Sequence, residues 1–316
     1  MTETGKPMVI LTGPTAVGKT ELSIKLAKKI GGEIISADSM QVYRYMDIGS
    51  AKIKEEERQG ISHHLIDVLN PEEEFNVYIF QKMAEECLKG IYERGQIPVL
   101  VGGTGFYIQA LLYDIEFEPQ KDSRKIREEL EKIAAEKGNA VLYQKLKELD
   151  PESADLIHEN NSKRIIRALE FYELNKMPIS KHNKEQRERK AAYNACYFVL
   201  NDEREKIYER IDRRVDKMME EGLLEEVKQL KNKGCHKNMV SMQGLGYKEL
   251  LSYLNDECTL EEAIYQIKRD SRHFAKRQLT WFRRERDVIW INKQNFSYDD
   301  DNILAFIIKT MEEKGL

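Results

Sequence analysis

The residues between Gly13 and Thr20 have the types and spacing of a phosphate-binding loop. The segment reads GPTAVGKT and satisfies the pattern GxxxxGK[ST], in which glycines let backbone N–H groups approach phosphate oxygens closely. Lys19 adds a full positive charge, and Thr20 offers a hydroxyl that can bind Mg²⁺. A loop of this kind recognises the geometry of a phosphate rather than the group attached to it. The sequence therefore predicts a phosphate site and leaves its ligand open.

Asp38 is a second candidate for chemistry because it directly follows residues 33–37, an apolar segment that predicts a buried strand. Open parallel sheets bind their ligands at the carboxyl ends of strands. Three roles are open to this carboxylate: a general base toward an attacking nucleophile, a Mg²⁺ ligand acting through water, or a cap of the following turn. Tyr43 and Tyr45 could stack on a base, although core packing is expected for at least one of them. Further hydrogen-bonding groups flank Asp38 at Ser36, Ser39 and Gln41.

Thr104 is a third candidate, because it lies in a glycine-rich turn at the end of the apolar segment IPVLVGGTG. Its hydroxyl and the bare backbone of the flanking glycines would face the same cleft as Asp38. A plain tight turn and helix cap is an equally good interpretation. An arginine-rich lid motif of the adenylate-kinase type does not follow in the sequence, which weighs against phosphoryl transfer.

A basic, aromatic segment occupies residues 267–286, in a chain whose formal net charge is -4. Exposed cations with stacking faces among them are typical of surfaces that grip RNA. The alternative is a solvated helix whose aromatic rings turn into the core. The cations are Lys268, Arg269, Arg272, Lys276, Arg277, Arg283, Arg284 and Arg286, and the aromatic residues among them are His273, Phe274, Trp281 and Phe282.

The elements that must position these residues alternate between strand and helix. Residues 8–12 form a short apolar run that predicts a strand, followed by a helical pattern that stops at Gly31. A second strand at 33–37, a helix at 76–94 and a third strand at IPVLVGGTG continue the alternation. Strands alternating with helices predict an α/β fold, here a P-loop NTPase-like parallel sheet flanked by helices.

An inserted helical domain is predicted at residues 120–192, which are rich in charge and lack strand-like apolar runs. The segment YNACYFVL returns to strand character and should rejoin the sheet, and VIWI is a candidate last strand. The P-loop core is therefore predicted to comprise residues 1–119 and 193–316, the latter part carrying C-terminal helices that include the basic, aromatic segment.

Composition narrows the class of protein further. The four cysteines form no CxxC pair, so reduced thiols are expected rather than a disulfide framework or a zinc site. The first apolar run is too short for a signal peptide or a membrane span. We therefore expect a soluble, cytoplasmic protein without a membrane partner, and a monomer.

Eight ordered motifs resemble the tRNA dimethylallyltransferase family over nearly the whole chain. They are GPTAVGKT, SADSMQVYRYMDIGSAK, HHLIDV, VGGTGFY, RIIRALEFYE, RIDRRVDKMMEEGLLEEV, QGLGYKEL and AKRQLTWFRR. The resemblance implies transfer of a dimethylallyl group from dimethylallyl diphosphate to the exocyclic N6 amine of the adenosine 3′ of the anticodon, with Mg²⁺ and without consumption of ATP. The partner is then the tRNA anticodon stem-loop, which residues 120–192 and the C-terminal helices of the catalytic core would contact. Eukaryotic members carry a C-terminal zinc finger, and the absence of Cys/His pairs here makes the resemblance closest to bacterial members.

Carried over residue by residue, the resemblance implies that the P-loop binds the donor diphosphate and that Asp38 acts as the base. Lys19 and Thr104 would assist catalysis, and Arg210 or Arg214 would bind the diphosphate. The P-loop positions are Gly13, Pro14, Thr15, Ala16, Val17, Gly18, Lys19 and Thr20, with Mg²⁺ at Thr20. The tRNA-contacting positions are Asp38, Ser39, Met40, Gln41, Thr104, Arg127, Asn160, Asn161, Ser162, Lys163, Arg164, Ser241, Met242, Gln243, Gly244, Leu245 and Gly246, to which the basic segment adds Arg277, Trp281 and Arg283.

Three other functions compete with this interpretation. A P-loop kinase acting on a nucleotide or small molecule would share the sheet, the P-loop and Mg²⁺. A transferase that prenylates free adenine nucleotides would not need the long basic, aromatic surface. An RNA-binding protein with the P-loop as a regulatory switch would bind tRNA and leave the base unmodified.

Overall fold

The fold is built on one parallel sheet, seen in a computed structural model that describes residues 5–117 and 123–316. Its strands in the described ranges are β1 (Pro7–Thr12), β2 (Gly32–Ala37), β3 (His63–His64), β4 (Ile97–Gly102), β5 (Asn194–Asn201) and β6 (Val288–Asn292). They lie in the order β3-β2-β4-β1-β5-β6, and every neighbouring pair is parallel. The predicted parallel α/β sheet is thus confirmed.

The burial of the central strand β1 explains why a continuous apolar run was sufficient to predict it. Residues 8–11 are fully buried because strands and helices cover both faces, so the strand is apolar along its length rather than alternating. Val9 lies opposite Val99 of β4 on one side and Cys196 of β5 on the other. The predicted strands at 193–200 and at VIWI both join this sheet. The sequence did not predict β3, because two residues are too short to show a period.

Helices connect the strands. They are α1 (Lys19–Ile30), α2 (Val77–Glu93), α3 (Gly105–Leu112), α4 (Ser123–Lys137), α5 (Asn139–Leu149), α6 (Pro151–Leu156), α7 (Ser162–Asn175), α8 (Ile179–Glu188), α9 (Arg204–Glu220), α10 (Leu223–Asn232), α11 (Tyr247–Leu254), α12 (Leu260–Phe282) and α13 (Asp300–Glu313). Local signals set several ends: Asn76 caps α2 through the Ile79 N–H at 3.0 Å, and Thr259 caps α12 in a capping box with Glu262. None of the helices in the described ranges is both long and apolar enough to cross a membrane.

The chain divides into two compact units, residues 1–114 with 191–316, and residues 115–190. The second unit holds α4 to α8, around an apolar core that includes Leu130, Leu142 and Leu169. Asp150 is buried in it and accepts hydrogen bonds from the N–H and hydroxyl groups of Ser153 and Ser180, at 2.6–3.0 Å. Although burial alone would raise the pKa of Asp150, these bonds hold it below its usual value. One carboxylate therefore fastens the start of α8 to the start of α6.

Candidate active site at the carboxyl edge of the sheet

The P-loop lies between β1 and α1, and both elements fix its ends. Gly13 has φ +145°, and a Cβ on this residue would lie 2.4 Å from the Leu200 carbonyl oxygen of β5, so only glycine fits. The loop delivers the chain to the N-terminus of α1, whose unpaired N–H groups favour an anion. Thr20 lies exposed in this first turn. The geometry is that of an anion-binding site.

Lys19 turns back onto the loop that precedes it. Its ammonium donates hydrogen bonds of 2.9 Å to the carbonyl oxygens of Gly13 and Pro14. Burial, and then the nearby Arg214 guanidinium, lower the pKa of Lys19 from 10.5 to about 7, while Asp38 acts in the opposite direction. A positive charge at this position is therefore unfavourable until an anion offsets it.

Two arginines of α9 approach the P-loop in different ways. Arg210 donates to the Ala16 carbonyl oxygen at 2.9 Å and pairs with Asp202 at 2.6 Å, and the Asp202 side chain is fully buried. Arg214 is an exposed residue overall, and its guanidinium forms no ion pair with any residue that the structure describes. Desolvation of the guanidinium by the protein atoms packed around it, and then the charge of Arg210, lower the pKa of Arg214. Arg210 therefore braces the loop, and Arg214 is the cation with unused hydrogen-bonding capacity.

Asp38 combines two of the roles that the sequence left open. Its Oδ1 accepts the N–H groups of Met40 at 2.8 Å and Gln41 at 3.3 Å, as a cap of the turn after β2 does. Its Oδ2 receives no hydrogen bond from the described residues. Because a cap needs one oxygen only, the second remains available for chemistry, and the two roles are compatible.

A cavity of about 70 Å³ joins these groups. Its lining combines the polar side chains of Lys19, Thr20 and Asp38 with several apolar side chains. These apolar lining residues are Ile34, Ile53, Ile66 and Val101. The phosphate loop and the carboxylate thus share one cavity, whose lining suits a molecule with an anionic end and a small apolar end.

Thr104 lies beside this cavity without lining it. Its N–H donates to the Ala37 carbonyl oxygen at 3.3 Å, which ties it to the residue before Asp38. Its hydroxyl makes no capping hydrogen bond to α3, so the helix-cap interpretation does not account for a threonine here. Gln278 of α12 fixes the same turn, since its amide donates to the Gly103 carbonyl oxygen at 3.0 Å and accepts the Thr15 N–H at 2.8 Å.

Comparison with known proteins assigns the chain to a family. A family model described as IPP transferase matches residues 41–285. The chain belongs to the IPP transferase family. It is 56% identical over 311 residues to a tRNA dimethylallyltransferase of Lachnoclostridium phytofermentans, an alignment that covers 98% of this chain and 99% of that protein. The family resemblance predicted from the sequence motifs is thereby confirmed.

Solved structures of family members have the same fold. A full-length tRNA isopentenylpyrophosphate transferase from Bacillus halodurans is 45% identical, with a TM-score of 0.72 over 98% of each chain. A eukaryotic dimethylallyltransferase, described as acting on tRNA, is 31% identical, with a TM-score of 0.78 over 94% of this chain and 76% of that chain. These two family members therefore share the overall architecture described above.

The basic segment of this family member divides into a paired half and an unpaired half. In the first half of α12, Lys268 pairs with Asp216 at 2.6 Å and Arg272 with Asp212 at 2.5 Å. The cations towards its C-terminal end are exposed and have no carboxylate partner within the described chain: Lys276, Arg277, Arg283 and Arg284. Trp281 packs on α3, because a Cβ on Gly105 would lie 2.2 Å from its ring. Phe282 is fully buried, so core packing applies to this ring.

The segment 241–246 is mostly buried. Ser241 is fully buried and donates to the Pro71 carbonyl oxygen at 2.7 Å, and Met242 is fully buried as well. A Cβ on Gly244 would lie 2.7 Å from the Met40 sulfur. Gln243 is the exposed side chain of the segment. Side-chain contacts to RNA are thus open to Gln243, whereas Ser241 and Met242 support the fold.

The predicted RNA contacts of the helical unit also differ from one another. Arg127 donates two hydrogen bonds, of 2.8 and 3.1 Å, to the fully buried Glu170 carboxylate. Asn161 caps α7 through the Arg164 N–H at 3.3 Å. The side chains exposed around the start of α7 are Asn160, Lys163 and Arg164. Arg127 therefore has a structural partner, while these three side chains face solvent.

Two residues at the site, His63 and Gln278, were not predicted from the sequence. His63 of β3 lines the cavity, and its Nδ1 lies 2.8 Å from the Ile61 carbonyl oxygen. Gln278 links two loops that are far from it in sequence. The only available signal was their position inside the motifs HHLIDV and AKRQLTWFRR.

Proposed function

We propose that this chain transfers the dimethylallyl group of dimethylallyl diphosphate to the N6 amine of the adenosine 3′ of the anticodon in tRNA, releasing diphosphate without consuming ATP. The observation that carries the proposal is the shared cavity of Lys19, Thr20 and Asp38, with an apolar wall, in a member of the IPP transferase family. The relatives named tRNA dimethylallyltransferase support both the donor and the acceptor.

The donor diphosphate would bind at the P-loop. The N-terminus of α1, Lys19 and Arg214 supply positive potential there, and Arg214 is favoured over Arg210 because Arg210 is already engaged by Asp202 and Ala16. An incoming diphosphate would draw the Lys19 ammonium from the Gly13 and Pro14 carbonyl oxygens. The same cations would stabilise the negative charge that grows on the departing diphosphate.

Asp38 would act as the base. The lone pair of an adenine N6 amine is delocalised into the ring, so the amine attacks well only if its proton can leave. The C–N bond forms as the C–O bond to the diphosphate breaks, and the amine proton passes to Asp38 Oδ2, the oxygen not used as a cap. The Thr104 hydroxyl, held beside β2, would orient the acceptor base.

Mg²⁺ fits the oxygen donors of the site. This ion usually binds one or two protein oxygens together with substrate phosphates and water, and the Thr20 hydroxyl and Asp38 carboxylate are oxygen donors that line one cavity. When bound, Mg²⁺ would neutralise charge on the diphosphate leaving group. Thr20 is the residue that would hold it.

The tRNA would contact the exposed cations towards the C-terminal end of α12, including Arg277 and Arg283, and the exposed start of α7. The target base would turn out of its stack, at an expense of a few kcal/mol that backbone contacts offset. Because tRNA would be its substrate, we expect the enzyme to act in the cytoplasm.

The test is direct. Purified protein is incubated with Mg²⁺, dimethylallyl diphosphate and unmodified bacterial tRNA without ATP, and the digested nucleosides are weighed. An adenosine heavier by one dimethylallyl group is expected, and Asp38→Asn should lose it. No such product, together with ATP hydrolysis in a parallel reaction, would replace the proposal with a P-loop kinase or a regulatory switch.

A further inference from the structure

We infer that Glu226 of α10 is a positioning residue, which holds the loop carrying Asp38 and Gln41 in place through hydrogen bonds to the backbone of residues 47–49. The inference rests on the proposed function and adds to it a group that touches neither substrate. Glu226 follows Glu225, and nothing in the sequence distinguishes the two carboxylates.

Four donors converge on the Glu226 carboxylate. Oε2 accepts the N–H groups of Asp47 at 2.9 Å and Ile48 at 2.8 Å, and Oε1 accepts the Gly49 N–H at 3.1 Å and the Tyr247 hydroxyl at 2.8 Å. No lysine or arginine of the described chain forms an ion pair with it. Hydrogen bonds to a charged acceptor are about twice as strong as neutral ones. The carboxylate is therefore used to organise backbone rather than to neutralise a cation.

The bonded segment leads directly to the candidate active site. The Gln41 amide lies 3.4 Å from the Ser50 carbonyl oxygen and 3.5 Å from that of Ala51, and the Gln41 N–H donates to Asp38. Gln41 and Ala51 both line the cavity that contains Asp38. The loop is thus anchored by Glu226 on its outer side and forms the cavity wall on its inner side.

Contacts other than those of Glu226 also hold residues 47–52 in place. A Cβ on Gly49 would lie 2.6 Å from the ring of the fully buried Tyr247. The buried Lys52 ammonium pairs with Asp47 at 2.5 Å and Asp67 at 2.6 Å. Loss of the Glu226 contacts would free one side of the loop while the other stays fastened, so we expect a local displacement rather than unfolding.

Displacement of this loop would affect turnover more than donor affinity. The P-loop, Lys19 and Arg214, which would hold the diphosphate, belong to other elements, whereas Asp38 and Gln41 lie on the displaced loop. A shift of about 1 Å in a reacting group can reduce turnover about 100-fold. Glutamine at 226 would retain one acceptor oxygen and present an amide N–H₂ toward backbone N–H donors, which is repulsive.

The experiment compares Glu226→Gln with Glu225→Gln, the neighbouring carboxylate, whose side chain is 63% exposed and lies 3.5 Å from Lys228. We expect Glu226→Gln to lower kcat by about 10-fold or more, with KM for dimethylallyl diphosphate within about two-fold of wild type, and Glu225→Gln to change neither. Hydrogen–deuterium exchange should become faster in residues 47–51 of Glu226→Gln alone. Tyr247→Phe, which removes one of the four donors and keeps the ring, should have a smaller effect in the same direction.

The possible outcomes distinguish a failure of the role of Glu226 from a failure of the proposed function. Equal kcat and equal exchange in the two glutamine variants would overturn the inference, and so would a loss in Glu226→Gln that appears wholly as weaker donor binding. A wild-type protein that forms no prenylated tRNA would instead overturn the proposed function. Wild-type activity with an unaltered Glu226→Gln variant refutes only the role of Glu226.

Discussion

Donor binding should weaken steeply with pH because Lys19 loses its proton near pH 7. The diphosphate binds the protonated lysine, so each pH unit above this pKa reduces the affinity tenfold until the pKa of the complex is reached. If the bound anion restores the ordinary pKa of 10.5, affinity falls about 20-fold between about pH 7.5 and pH 9. The donor itself has lost its phosphate protons by about pH 7, so this change belongs to the protein.

The assay is calorimetric titration of dimethylallyl diphosphate into the protein without tRNA, at several pH values. Lys19→Arg keeps its charge throughout the range, so whatever affinity this variant retains should not vary with pH. An affinity of the wild-type protein that stays flat between about pH 7.5 and pH 9 would refute the link between Lys19 and the diphosphate.

Lys19 should also make the free energy of unfolding depend on pH, with a rise where the donor affinity falls. The unfolded chain holds the Lys19 proton up to about pH 10.5 and the folded chain only to about pH 7, so between these values the unfolded state binds more protons. The free energy of unfolding therefore rises with pH across this window, and the buried ammonium destabilises the fold below it. Lys19→Met should be at least as stable as wild type at pH 7 by thermal unfolding, although it no longer binds the donor.

Three further predictions concern single contacts. Asp38→Asn should lower turnover about 100-fold or more with tRNA affinity nearly unchanged; single-turnover kinetics and filter binding measure the two, and near-normal turnover would remove Asp38 as the base. Arg214→Ala should raise KM for the donor about 10-fold or more without lowering Tm. Arg210→Ala should instead lower the free energy of unfolding by about 2 kcal/mol, because the buried Asp202 carboxylate loses its cation. If kinetics and thermal unfolding show the reverse pattern, the two arginines exchange roles. The joint change of Arg277 and Arg283 to Ala should weaken tRNA binding and flatten its salt dependence, and an unaltered salt slope would exclude this face.

Local patterns allowed the sequence to predict the P-loop and the sheet. The loop is a contiguous motif between a strand and a helix, and a buried parallel strand such as β1 is a continuous apolar run. The choice between Arg210 and Arg214 could not be made from the sequence, since both lie one turn apart on α9. It depends on Asp202, a residue at the end of β5 whose proximity only the tertiary structure shows.

The polar contacts that span long sequence distances were also beyond prediction. Gln278 reaches Thr15 and Gly103, and Glu226 reaches residues 47–49, across more than 170 residues in each case. A glutamine or glutamate on an amphipathic helix is ordinarily solvated, so its type carries no sign of such a partner. Ser241 shows the converse, because a polar residue predicted to contact tRNA is instead buried and donates a hydrogen bond to the Pro71 carbonyl oxygen.

The central position of β1 has a consequence for synthesis of the chain. This strand pairs with β4 on one side, but its other neighbour, β5, begins only at Asn194. At about 5–20 residues per second, the free edge of β1 waits about 10–40 s on the ribosome for its partner. Residues 115–190, which supply none of the described strands of the sheet, account for a large part of that wait. An unpaired apolar edge favours aggregation, so the nascent chain needs protection during this interval, and a shorter insertion would shorten it.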